Sequence, residues 1–121
     1  MVRLSAAELR YLRSERRLGR LATSGPDGQP HVVPVGWSYD EVSGTFEVSG
    51  RQFAATRKYR NVLGNPRAAL VVDDVLPPWQ PRCVHVQGPA RVVPPDPATG
   101  AEARIVLTPT KVTSWGLGDG H

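Results

Sequence analysis

A single cysteine, Cys83, stands in the whole chain, which excludes an internal disulfide and leaves no CxxC pair for zinc or thiol exchange. A reducing compartment is the setting this implies, and the chain is expected to be cytoplasmic. No apolar run approaches the roughly 20 residues of a membrane span, and residues 1–8 lack the apolar core of a secretory leader. A membrane role is therefore not expected. Aromatic residues make up only 7% of the chain, too few for the stacking platforms that nucleic-acid binders interleave with basic side chains. Nucleic acid is likewise not an expected partner. No nucleophile with its base, no carboxylate pair and no Walker or dinucleotide loop is evident, and Gly116-Leu117-Gly118 is too little to count as one. His31, His85 and His121 lack the spacing of metal ligands, so they are treated as ordinary and no metal is expected.

What is present suits one domain spanning residues 1–121, with 40% hydrophobic and 21% charged residues. A domain this small leaves about a third of its unfolded-chain surface exposed, and a homodimer would cover an apolar part of it. The net charge is +4, and arginine supplies 13 of the 15 basic residues. That balance suits an anionic partner; the alternative is a solvated arginine-rich surface.

Ser5 followed by Glu8 has the spacing of a capping box, with Leu4 and Leu9 placed as a staple, so a helix is expected over residues 6–16 with Leu9 and Leu12 facing the core. After Gly19 the period changes. Residues 18–23 and 30–35 read as two strands around the turn Ser24-Gly25-Pro26-Asp27-Gly28, and a second turn at residues 40–44 adds another antiparallel strand. Pro30 and Pro34 cannot donate to a ladder, so their strand should be bulged or lie at an edge. Residues 53–63 have helical composition up to the stop Gly64-Asn65-Pro66. A buried strand over residues 67–73, a stiff loop Pro77-Pro78-Trp79-Gln80-Pro81, and a long strand over residues 83–93 bent at Gly88-Pro89 follow. Strands over residues 103–107 and 111–115 close the sheet. Many short strands with Gly/Pro punctuation and two short helices imply a mainly β protein, a closed or nearly closed antiparallel barrel.

The stretch Thr56-Arg57-Lys58-Tyr59-Arg60-Asn61 places cations at the start of a helix, where the macrodipole disfavours each by about 0.3–1 kcal/mol. A bound anion reverses that sign: free helix N–H groups, the Thr56 hydroxyl, the Arg57 fork, the Lys58 ammonium and the Asn61 amide are all groups that ligate phosphate. The other reading is that these long side chains simply extend into water.

Taken in order, Gly19-Arg20-Leu21-Ala22-Thr23, then Asp27-Gly28-Gln29-Pro30-His31-Val32-Val33-Pro34-Val35, then Thr56-Arg57-Lys58-Tyr59-Arg60-Asn61-Val62, Asn65-Pro66-Arg67, Leu70-Val71-Val72-Asp73-Asp74 and Val112-Thr113-Ser114-Trp115-Gly116-Leu117 resemble the pyridoxamine 5'-phosphate oxidase-like split β-barrel family, specifically its deazaflavin-dependent branch. The resemblance covers nearly the whole chain. It implies an antiparallel split β-barrel with two short helices, a homodimer, and a cofactor in the groove between subunits: coenzyme F420, with FMN as the alternative. By position it assigns the phosphate to Lys58 and Asn61 with Thr56 and Arg57 assisting, and the ring to Val33, Pro34 and Val35. Trp79 matches a loop that places an aromatic near the cofactor, or else serves at a rim or dimer contact; Trp115 is expected at the dimer interface.

The implied activity is hydride transfer between the deazaflavin and a small electron-poor substrate, the cofactor carrying the reaction and the protein orienting it. An FMN-dependent oxidase or flavin reductase of the same fold, a non-catalytic F420-binding protein, and a heme binder using His31 or His85 are the alternatives.

Overall fold

Helix α1 (Ala6–Ser14) begins on the expected capping box: Ser5 Oγ accepts the Glu8 N–H at 3.1 Å and Glu8 Oε1 accepts the Ser5 N–H at 2.8 Å. Its buried residues are Glu8, Tyr11 and Leu12, while Leu9 packs only at the margin of the core. Burial of Glu8 is tolerable because its second oxygen also has a donor, Ser114 Oγ at 2.7 Å. The computed structural model describes residues 1–118, so His121 lies outside the described residues.

Strands β1 (Gly19–Ser24) and β2 (Pro30–Val35) form the first hairpin, and β3 (Ser38–Asp40) and β4 (Thr45–Ser49) the second. Then come β5 (Arg67–Leu76), β6 (Gln80–Val93), β7 (Arg104–Leu107) and β8 (Lys111–Trp115). All pairings are antiparallel in the order β2-β1-β5-β6-β7-β4-β3, and β8 also pairs with β6. The two ends of that order, β2 and β3, are joined only by Gly36 and Trp37, so the barrel is split between them. β2, with its two prolines, is the edge strand that their missing N–H groups require.

The 14-residue β6 holds the two halves together: residues 83–87 pair with β8 and residues 90–93 with β7. Gly88 makes the bend between those segments. A Cβ there would sit 2.0 Å from the Thr108 carbonyl oxygen, so only glycine permits the approach. The expected loop over residues 77–81 is shorter than its composition suggests. The ladder runs on to Leu76 opposite Gln80, leaving a tight turn at Pro77-Pro78-Trp79.

The helix expected over residues 53–63 is broken in two. Phe53–Ala55 forms a 3-10 turn entered through Gln52 at φ 50°, and α2 (Arg57–Gly64) starts after Thr56. Packing causes the break, because Phe53 is buried and meets the Tyr59 ring edge-on at 6.0 Å. α2 lies against β1 and β6 with Tyr59, Asn61 and Val62 buried. The core between the two halves is filled by Leu21, Phe46, Val48, Leu70, Val72, Val84, Val86, Ile105 and Leu107. Among the described residues no helix is long and apolar enough to cross a membrane.

Candidate functional site

Thr56 has extended backbone (φ −82°, ψ 155°) and caps α2: its hydroxyl accepts the Tyr59 N–H at 3.4 Å and donates to the Phe53 carbonyl at 2.7 Å. In this arrangement its one proton is directed to the Phe53 carbonyl, so Thr56 serves as the cap of α2. Arg57 and Lys58 follow at the first two helical positions. Arg57 is exposed; Lys58 is half-buried with its ammonium 5.2 Å from the centre of the Phe53 ring. The first turn holds no acidic residue, and among the described residues neither cation pairs with a carboxylate. Arg60, by contrast, is turned back onto the Ala55 carbonyl at 2.8 Å.

Asn61 lies one turn after Arg57, on the same face of α2. It is buried, and its Nδ2 donates to Thr23 Oγ1 on β1 at 3.0 Å. Thr23 in turn is the cross-strand partner of His31 on β2, so those two side chains share the inner face of the hairpin. Along β2, His31, Val33 and Val35 point inward while Pro30, Val32 and Pro34 point outward. The sequence-derived site thus separates into parts. Thr56, Arg57, Lys58 and Asn61 form one unit on α2, joined through Thr23 to the inner side of the strand that carries Val33 and Val35. Pro34 lies on the opposite side of that strand.

Trp79 is elsewhere. It is 75% exposed at the tip of the β5–β6 hairpin. β5 starts beside α2 at Arg67 and its ten residues span roughly 30 Å, so a chain's own Trp79 is far from its own Lys58. Two open grooves lie outside the α2 unit, and neither is lined by Thr56, Arg57, Lys58 or Asn61. One, of about 640 Å³, lies at the other end of α2 between Ser24, Pro30, Asn65, Arg67 and Gln87. The other, of about 500 Å³, runs from Leu12 and Arg16 to Gly36 and Trp37 at the end of β2.

A polar cluster that the sequence does not announce sits toward the far end of β5. The Asp74 carboxylate accepts from Tyr11 Oη at 2.9 Å, Arg82 Nε at 2.9 Å and Arg17 Nε at 3.1 Å, and both guanidinium groups lie over the Tyr11 ring. The Arg82 hydrogen bonds hold the Asp74 carboxyl far below the usual carboxylate range, with Tyr11 and Arg17 adding to the effect. Desolvation, and then the bond to Asp74, push the Tyr11 phenol well above its ordinary value. Cys83 is buried and free, and burial with the Asp73 charge raises its thiol to about 11, which keeps it protonated and unreactive.

The profile of the family described as pyridoxamine 5'-phosphate oxidase matches residues 5–115. The chain is 41% identical over 120 residues to the 5a,11a-dehydrotetracycline/5a,11a-dehydrooxytetracycline reductase of Streptomyces rimosus, covering 91% of this chain and 81% of that protein. Among solved structures, a conserved hypothetical protein from Mycobacterium tuberculosis superposes with a TM-score of 0.73 at 23% identity, covering 98% of this chain and 90% of that one. A protein described as an F420 reductase superposes with a TM-score of 0.66 at 23% identity, covering 86% and 94%. Those two likenesses establish the split-barrel fold. Family profile, relative and fold agree, and the chain belongs to the pyridoxamine 5'-phosphate oxidase family of oxidoreductases.

Proposed function

We propose that this protein is a coenzyme F420-dependent reductase of a small electron-poor molecule. The observation that carries the reading is the first turn of α2, where Arg57 and Lys58 stand without carboxylate partners beside the unpaired N–H groups of a helix start. A phosphate answers both, and Asn61 lies one turn deeper on the same helix face. Val33 and Val35, on the inner face of an edge strand, offer apolar surface to a ring, and the free edge of β2 offers unpaired backbone groups. When bound, the reduced deazaflavin would supply a hydride to the substrate, with the accompanying proton coming from water or a side chain. The residues of this chain bind, orient and desolvate. The relative's substrate, a dehydrotetracycline, supports a conjugated small molecule as the acceptor. A reducing cytoplasm fits a protein whose one thiol is free.

The site has one open wall, and a second copy of the chain is the proposed occupant. The outer face of β2, β1, β5, β6 and β8 presents Val32, Pro34, Ala22, Ala69, Val71 and Trp115, with Arg20 and Asp73 neutralising each other among them at 2.6 Å. Val32 is 65% and Trp115 49% exposed on that face. Packing two such faces together would cover that apolar surface, with the exposed Arg67 and Lys111 at the starts of β5 and β8 on the same face, and would let the partner's Trp79 reach a groove that a chain's own Trp79 does not.

Fluorescence titration of the purified protein with coenzyme F420 and with FMN tests the cofactor. Saturable F420 binding is expected, and tight FMN binding with no F420 response overturns the assignment. Replacing Arg57 and Lys58 together by alanine removes charge-assisted bonds of about 1.5–3 kcal/mol each and should weaken F420 at least tenfold with the fold intact.

A further inference from the structure

His31 stands out once every buried polar atom is accounted for. Among the described residues only two buried side-chain nitrogens or oxygens lack a hydrogen bond, His31 Nδ1 and Arg104 Nε. Arg104 Nε still has Glu47 Oε1 at 3.1 Å, so its charge is answered. His31 Nδ1 has nothing, although buried polar atoms are almost always paired. The ring is half-buried on the inner face of β2, in line with Val33 and Val35, at an edge strand with no neighbour on its other side. Its cross-strand partner Thr23 receives the Asn61 amide, and Asn61 shares a helix face with Arg57. His31, the Thr23–Asn61 pair and Arg57 thus form one row, from the edge strand to the start of α2.

We infer that His31 is a third anchor for the anion held by Arg57 and Lys58, its Nδ1–H donating to a phosphate oxygen from the β2 side. The inference rests on the cofactor reading above. An oxygen anion is the group that satisfies both the lone donor on β2 and the two unpaired cations on α2. Thr23 and Asn61, already bonded to each other, hold the floor between them, which makes their contribution positional.

Dissociation constants for two matched pairs test this: coenzyme F420 against the phosphate-free deazaflavin riboside, and FMN against riboflavin. Whichever phosphate-bearing ring binds, His31→Ala should weaken it about tenfold and leave its phosphate-free counterpart unchanged. His31→Asn, which places an amide donor near the position of Nδ1, should recover most of the loss; a thermal unfolding scan checks that both variants fold. Equal losses on both members of a pair, no loss at all, or an Asn variant no better than Ala would overturn the assignment and leave a water as the partner of Nδ1. If the wild type binds FMN and not F420, the F420 reading fails while the His31 inference is decided on the FMN pair; if it binds neither, both fail.

Discussion

At the scale of single residues the strongest polar interactions lie away from the proposed site. Asp74 gathers Tyr11 from α1, Arg17 from the segment leading into β1, and Arg82 from β6, so one carboxylate ties the N-terminal helix to the central hairpin. Because its folded pKa is depressed, the stabilisation is complete above the unfolded carboxylate value near 3.9 and is lost as pH falls below it. Tyr11 has the opposite sign of shift: with its folded pKa raised, stability is unaffected below about pH 10 and declines above it. Asp74→Asn should therefore flatten the acid limb of a urea-denaturation stability profile, and Tyr11→Phe the alkaline limb. Each should cost about 1–3 kcal/mol at neutral pH, since partners are left unsatisfied. An unchanged acid limb in Asp74→Asn would mean that solvent already screens the cluster. None of this was legible in the sequence. Residues 11, 17, 74 and 82 share no local pattern, whereas Ser5 and Glu8 do, because both halves of a capping box lie within one turn.

At the scale of elements, local signals were legible where local forces decide. Gly88-Pro89 inside an apolar run marks a bend, and the bend is there because the Thr108 carbonyl approaches to 2.0 Å of where a Cβ would be. Gly88→Ala forces backbone apart at the junction of β7 and β8. It should cost at least the ~3 kcal/mol that bounds ordinary substitutions, read as a fall in the denaturant midpoint. Gly36→Ala, with nothing within 4 Å of its Cβ, is the matched control and should be nearly silent. The interruption at Thr56 was not legible, since residues 53–63 are helical in composition throughout and Thr56 is followed three places later by Tyr59, not by Glu or Gln. It takes the burial of Phe53 against Tyr59 to stop one helix and start another, and that long-range packing sets Arg57 and Lys58 at a helix start. The cations were read as lying near the start of a helix over residues 53–63, and they prove to be the first two residues of α2 because it begins only after Thr56.

For the molecule as a whole, strand number and Gly/Pro punctuation sufficed for a barrel, but not for the position of its split. That is set by β2 and β3 ending the strand order with no mutual pairing, a long-range outcome. The split matters because it leaves β2 with a free edge, one strand removed from the β1 that α2 packs against, and the outer face of the same sheet with Val32 and Trp115 in water. If two copies meet on that face, a charge placed there must be buried without a partner, which costs several kcal/mol per ion. Val32→Glu should accordingly convert a dimer to a monomer in sedimentation at micromolar concentration. Its thermal stability as a folded chain should change little, since the side chain is 65% exposed in the single chain. Cofactor affinity should fall with the dimer, because each groove loses the wall and the Trp79 supplied by the other copy. Val42→Glu, on the β3–β4 turn and 89% exposed, adds the same charge away from the face and should change neither property. A Val32→Glu variant that sediments as the wild type does, with undiminished affinity, would move the interface elsewhere and require each chain to complete its own site.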